Sequence, residues 1–131
     1  MLRNKSVYSP IDRGRDGLRL LVTRYRGRGL KRTRYDTWMP NLAPSETLLA
    51  QISNDEITWA KFAREYRTEL FSDGPIDAKC KTIKNHNQKF NLRLIKRLAK
   101  KGNVTLMCHC SEDEQRCHRH LLTKLILSSR V

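Results

Sequence analysis

The stretch Val104-Thr105-Leu106-Met107-Cys108-His109-Cys110 decides the fold. It is rich in β-formers, and alternation puts Val104, Leu106, Cys108 and Cys110 on one side and Thr105, Met107 and His109 on the other. A second run, Leu18-Arg19-Leu20-Leu21-Val22-Thr23-Arg24, carries a central Leu-Leu-Val with no alternation. That is the pattern of a strand covered on both faces. Asp16-Gly17 marks a turn ahead of it, and Val7-Tyr8-Ser9-Pro10 reads as a short extended segment closed by its proline.

Helical patterns fill the chain around these two strands. Residues 38–44 are irregular, and Pro44-Ser45-Glu46 forms a helix entry with Ser45 as N-cap. Beyond Asp55, the residues Ile57, Trp59-Ala60, Phe62-Ala63, Tyr66 and Leu70 recur at helical spacing, and Asp73-Gly74-Pro75 ends the run. A further helix is expected over 87–101, with Phe90, Leu94-Ile95 and Leu98 apolar and Gly102 just past its end. Residues 77–86 show no assignable pattern. Ser111 with Glu114 resembles a capping box, and Leu121-Leu122 with Leu125-Ile126 mark a terminal helix. Strand, helix, strand, helix predicts a single α/β domain over 1–131, a small, mainly parallel sheet flanked by helices. In such sheets ligands bind beyond the carboxyl ends of the strands. Two segments leave those ends, the arginine-rich turn at 24–31 and the cluster Cys108, Cys110, Cys117, His118, Arg119. Their shared position is the physical reason to expect one site from both.

The charge balance narrows the partners. Among 131 residues, 27 are Lys or Arg and 13 are Asp or Glu, a formal net charge of +14. Many cations therefore have no acid of their own, and such a field attracts polyanions. The expected partner is a nucleic acid or another phosphate-bearing ligand. Met1-Leu2-Arg3-Asn4-Lys5 is basic but leads into no apolar segment of the kind a secretory signal needs. Apolar runs such as Leu20-Leu21-Val22 are far too short to span a bilayer, so no membrane partner is expected. Three of the four cysteines crowd between positions 108 and 117, whereas a disulfide framework spreads them over longer loops. The expectation is a reducing, cytoplasmic setting. Cys80, isolated in a polar stretch, reads as incidental.

Three chemistries fit the cysteine cluster. Cys108, Cys110, Cys117 and His118 supply enough thiolate and imidazole for tetrahedral zinc, although the spacing repeats no Cys-x-x-Cys. Alternatively Cys117 acts as a catalytic nucleophile at a helix start, with His118 or His109 as base and Arg119 favouring the thiolate. The spacing His109-Cys110, five residues, Arg116 also satisfies the bare cysteine-phosphatase pattern. The intervening Glu112, Asp113 and Glu114 would repel the phosphate and no glycine lets the backbone approach it, which argues against that chemistry. The third reading is structural: Cys117 lies four residues before Leu121 and eight before Leu125, on the face that packs inward.

Arg24, Arg26, Arg28, Lys31, Arg32 and Arg34 fall within eleven residues, interleaved with Tyr25 and closely followed by Tyr35 and Trp38. Guanidinium groups grip phosphate in pairs of hydrogen bonds, and aromatic rings stack on bases or sugars. Arg24 and Arg28 are the expected anion anchors, with Asp36 orienting an arginine and Trp38 or Tyr25 stacking. Ser45 and Arg119 complete the expected ligand-binding set. Gly27-Arg28-Gly29 is too short for a P-loop and lacks its lysine.

Taken in order along the chain, these residues resemble the family of domain of unknown function 488. The resemblance rests on Val7-Tyr8, Asp16-Gly17, Val22-Thr23-Arg24, Arg28-Gly29, Asp36-x-Trp38 and Leu42-Ala43-Pro44-Ser45-Glu46. It continues through Trp59, Phe62, Tyr66 and Glu69-Leu70 to Gly102, Val104-Thr105-Leu106 and Cys117-His118-Arg119. It implies a compact α/β fold and a pocket near the arginine and Cys-His-Arg segments, and it supplies no activity. In similar sequences Arg24 is followed by a Trp-Pro-Arg-Gly step; here Arg26-Gly27 stand where Trp-Pro would, while Arg28-Gly29 remain.

Overall fold

The computed structural model describes residues 1–77 and 87–131 of the chain. Its framework is a four-stranded sheet in the order β1-β4-β2-β3, built from β1 (Leu2–Ser6), β2 (Leu18–Leu21), β3 (Thr37–Trp38) and β4 (Val104–Cys108). Every pairing is parallel. β4 lies between β1 and β2, with Leu2 opposite Val104 on one side and Leu18 opposite Val104 on the other. All five of its residues are buried, so the stretch read as an alternating strand is covered on both faces.

The flanking helices gather on one face. α2 (Glu46–Ser53), α3 (Trp59–Leu70), α4 (Gln88–Lys101) and α5 (His118–Leu127) contribute Leu48, Phe62, Tyr66, Ile95 and Leu122 to the core that includes Val104 and Leu106. On the other face Met107 and Leu21 pack with Val7 and Tyr35, beneath Leu30 of the loop between β2 and β3 and Trp38 of β3. The short α1 (Arg13–Asp16) adds cover there, where the Thr105 hydroxyl donates to the Asp16 carbonyl at 2.7 Å. Helix starts follow the sequence signals: the Ser45 hydroxyl accepts from the Leu48 N–H at 3.1 Å, and that of Thr58 from the Lys61 N–H at 3.2 Å.

One turn is set by a glycine. Gly17 takes φ 60° and ψ −130° between α1 and β2, and a Cβ there would stand 2.0 Å from the Asn103 carbonyl oxygen. Only glycine fits that backbone and that approach. It lets the Leu18 N–H reach the Asn103 carbonyl at 3.0 Å and sets the register of β2 on β4.

Three details depart from the sequence reading. The first strand is Leu2–Ser6, just ahead of the segment expected to be extended, and Val7 only prolongs its pairing by donating to the Cys108 carbonyl at 2.8 Å. Ser111 and Glu114 cap no helix: the Glu114 carboxylate accepts from the Arg116 N–H within the loop. The terminal helix begins at His118, with Cys117 as its N-cap residue in extended backbone instead of on an inward helical face. Cys80 and residues 78–86 of the unassigned stretch lie outside the described residues. Among the described residues no helix is long and apolar enough to cross a membrane.

Candidate functional site

The two segments paired on the sequence do meet, at the carboxyl ends of β2 and β4. The His118 ring reaches from the start of α5 to the Val22 carbonyl, just past β2. The His109 Nε2 lies 2.9 Å from the Tyr25 carbonyl. Gly27, at φ 83°, sits so close to the His109 ring that a Cβ would come within 2.8 Å of it.

At this rim the Sγ atoms of Cys108, Cys110 and Cys117 all lie within 4.8 Å of one another. Cys108 and Cys117 are 3.1 Å apart and buried, and Cys110 is half-exposed. β4 delivers Cys108 at its end, the bend after it returns Cys110, and the loop brings back Cys117 as the α5 cap. No two of these sulfurs are cross-linked.

Arg119 anchors the cluster from within. Its side chain is fully buried, a costly place for a cation unless it is paired and hydrogen-bonded. Nη1 donates to Cys108 Sγ at 2.9 Å and to the Cys110 carbonyl at 3.2 Å. Nη2 donates to the carbonyls of Ser111 at 2.9 Å and Glu112 at 3.1 Å, and Nε to Asn4 Oδ1 at 3.2 Å. One guanidinium thus fixes the loop that carries Cys110 and ties it to β1.

The electrostatics follow from these bonds. Hydrogen bonds from Cys110 and Cys117, helped by His118 and Arg119, hold the Cys108 thiol far below its usual range despite burial. Donating to Cys108 pushes the thiols of Cys117 and Cys110 up. The Arg119 guanidinium faces Cys108 as its counter-ion, and the neighbouring thiols share the charge through hydrogen bonds. Burial holds His118 below its usual value, as a neutral ring. With Nε2–H donating to the Val22 carbonyl, Nδ1 is left as an acceptor 3.8 Å from Cys117 Sγ. Negative charge is thus favoured on the Cys108 sulfur, and Cys117, expected as a nucleophile, lies buried beside it at 3.1 Å.

The expected ligand set is divided. Arg24 is buried, with Nε donating to the Pro44 carbonyl and Nη2 to the Ala43 carbonyl, both at 3.0 Å, and it pairs with Asp77 at 3.2 Å. It braces the entry to α2 and offers no open face to an anion. Ser45 is buried as the α2 cap, its N–H donating to Glu69 at 3.0 Å. Arg28 and Tyr25 are exposed. Asp36 does orient an arginine, namely Arg19, taking its N–H at 2.8 Å and its guanidinium at 3.2 Å. Trp38 donates to the Thr23 carbonyl at 2.8 Å with the Arg26 guanidinium 5.7 Å over its ring. A cavity of about 230 Å³ lies here, lined by Arg26, Arg32, Tyr35, Asp36, Thr37 and Trp38.

Two site residues escaped the sequence reading. Asn4 stands 115 positions from Arg119, and nothing in its local sequence marks it. Asp77, the acid facing Arg24, falls in the stretch without a pattern.

Residues 2–130 match the family described as the active DUF488-N3 subclade. The chain belongs to the DUF488 family. It is also similar to the uncharacterized protein YeaO of Escherichia coli (strain K12), 35% identical over 68 residues. That match covers 50% of this chain and 58% of YeaO, so the chain spans little more than half of the length of that relative. No solved structure matches the chain.

Proposed function

We propose that this DUF488 protein holds a soft metal ion, zinc in the first instance, on the thiolates of Cys108, Cys110 and Cys117. The observation that carries the reading is the convergence of three sulfurs within 4.8 Å from two separate stretches of chain. Thiolates on tetrahedral zinc, bonded at about 2.3 Å, stand about 3.8 Å apart, which the present spacing brackets. Charge supports the fit: a divalent ion and three thiolates carry one net negative charge, and the buried Arg119 guanidinium cancels it. The Val22 carbonyl fixes His118 as a backbone carbonyl fixes the ring of a metal-bound histidine, which makes Nδ1 the candidate fourth donor. Cys110, half-exposed, marks the side from which an ion enters. When bound, zinc would stabilise the loop at 109–117 and supply Lewis acidity at the rim. Clustered free thiols suit a reducing, cytoplasmic setting.

Protein purified anaerobically should contain zinc stoichiometrically by elemental analysis. Cobalt loading should give thiolate-to-metal charge-transfer absorption that is lost in Cys108→Ser and Cys117→Ser. Protein with all three thiols reduced that takes up neither ion sinks the proposal.

A second reading is favoured by the cavity beside Trp38. Arg26 and Arg32 line it, and its volume suits a phosphate group with a sugar-sized substituent. A phosphate-bearing ligand would meet the two guanidinium groups there and stack on Trp38. Calorimetric titration with nucleoside monophosphates, repeated on Arg26→Ala and Arg32→Ala, tests it; equal heats from all three proteins refute it.

A further inference from the structure

Three hollows lie away from the sulfur rim, among the helices. One of about 620 Å³ runs along the carboxyl end of α3, bounded by Arg64, Arg67, Phe71 and Arg130. A second, of about 280 Å³, continues it toward α5 past Arg67, Lys124 and Arg130. A third, of about 190 Å³, continues it toward α4 past Phe71, Lys89, Arg93 and Arg130. Shared walls make them one groove with Arg130 at its centre. Lys96 places that hub by donating to the Ser128 carbonyl at 2.7 Å and the Val131 carbonyl at 3.1 Å.

Among the described residues six cationic side chains and no acidic side chain line the groove. The sequence accounts for this one-sidedness: 78–111 and 115–131 contain no Asp or Glu, so α4 and α5 are cationic or neutral throughout. The nearby acids are engaged elsewhere, Glu69 with the Ser45 N–H and Glu65 with Lys61. Asp73 alone reaches the edge, paired with Lys89. Like charges along a recessed, partly apolar wall focus a positive field and repel one another until an anion neutralises them. The Arg130 guanidinium covers the half-buried Phe71 ring at 5.1 Å, so an aromatic face lies within the cationic track.

We infer that this groove binds the phosphodiester backbone of a single-stranded nucleic acid, with a base stacking at Phe71 and Arg130. A row of cations beside an aromatic ring is what strand-tracking grooves use. A recessed track suits a flexible strand better than a duplex, whose reading asks for an element that projects into a groove. The site is independent of the sulfur cluster, so removal of metal leaves the Arg64, Arg67 and Phe71 surface in place.

The test is fluorescence anisotropy of the full chain with labelled oligo-dT and oligo-U across a salt series. Arg67→Glu/Arg93→Glu/Arg130→Glu is compared with Arg13→Glu/Arg15→Glu/Lys101→Glu, which changes net charge equally on exposed residues that line none of these hollows. The groove variant should lose at least about tenfold in affinity, and its log–log salt slope should fall by about 2, at roughly 0.7 per lost phosphate contact on a single strand. The control should stay within a few-fold of wild type. Equal losses in both variants would reduce the effect to net charge and overturn the inference, as would salt-independent binding or tighter binding of a duplex. The milder Arg67→Gln/Arg130→Gln protein, checked by thermal melting, must weaken binding in the same direction if the glutamate variant does not fold.

Discussion

Replacing Arg119 by Met tests the joint between stability and site. Methionine fills much of the volume but returns none of the hydrogen bonds to Asn4 Oδ1, Cys108 Sγ and the carbonyls of Cys110, Ser111 and Glu112. Ser111 and Glu112 belong to an exposed stretch, so water can satisfy their carbonyls. Asn4 Oδ1 and the Cys110 carbonyl are more enclosed, and each unsatisfied acceptor costs about 1–3 kcal/mol. Cys108 also loses its counter-ion. The expected loss is about 3–4 kcal/mol, a large part of the ~5–15 kcal/mol that holds a domain together. Urea unfolding should show a lower midpoint with unchanged slope, the mark of lost stability in an intact fold. Zinc affinity should fall by about 10–100-fold, the usual effect of removing a hydrogen bond behind a metal ligand. Arg119→Lys should recover only part of both, because one ammonium cannot reproduce the planar fork. An Arg119→Met protein within about 0.5 kcal/mol of wild type would show that the guanidinium is not the organising group.

Gly17→Ala should destabilise by about 3 kcal/mol or more, because a methyl 2.0 Å from the Asn103 oxygen must displace backbone at the β2–β4 register. Gly29→Ala, equally at positive φ but with open space around it, should cost only about 1 kcal/mol, and equal midpoints for the two variants would refute the steric account. Asp16, whose burial is outweighed by Lys5 and the Asp12 N–H, titrates below its ordinary range. Its carboxylate therefore contributes stability above the unfolded-state pKa of about 3.9 that is lost as pH falls through the lower folded value. Asp16→Asn should flatten that acid limb and cost about 2 kcal/mol at neutral pH, less than a fully buried pair because Lys5 keeps some contact with water. An unchanged acid limb in urea midpoints measured against pH would remove Asp16 from the account. Chelation of the metal under reducing conditions should raise hydrogen exchange in 109–117 while β1 and β4 stay protected; uniform protection before and after would separate the loop from any ion.

The sheet was legible because Leu20-Leu21-Val22 carries the pattern of a doubly covered strand and the 104–108 run is rich in β-formers, although its apparent alternation hid that both of its faces are covered. The Ser45 cap was legible because capping is local chemistry. The short first strand was not, since Arg3, Asn4 and Lys5 are polar and pair with β4 only through tertiary context. The meeting of the two rim segments followed from a rule about strand ends, with no residue naming the other. Arg24 is the residue whose surroundings the sequence says least about. In sequence Arg24 reads as a phosphate anchor, and its partners, the carbonyls of Ala43 and Pro44 and the Asp77 carboxylate, are known only once the chain is folded. Backbone carbonyls have no sequence signature, and an arginine that collects them looks the same as one that faces solvent.

The step at Arg26-Gly27 now has a physical consequence. Gly27 adopts φ 83° against the His109 ring. A proline, which the family resemblance read from the sequence would put there, is locked near φ −65° and cannot take that conformation. The backbone between Arg24 and Arg28 must therefore follow a different course wherever proline occupies the position. With glycine the turn folds onto His109, and Arg26 is left to stack over Trp38 and line the small cavity beside Asp36. The course of the turn, and with it the place of Arg26, is thus set at these two residues, whereas the sulfur cluster is built by Cys108, Cys110, Cys117 and Arg119 and meets the turn only through His109. Gly27→Pro should separate them. It should empty the Trp38 cavity of its Arg26 wall, seen as a change in tryptophan fluorescence and loss of phosphate-ligand heats, while metal stoichiometry stays as in wild type. Loss of metal together with ligand would show instead that the turn and the cluster form one unit.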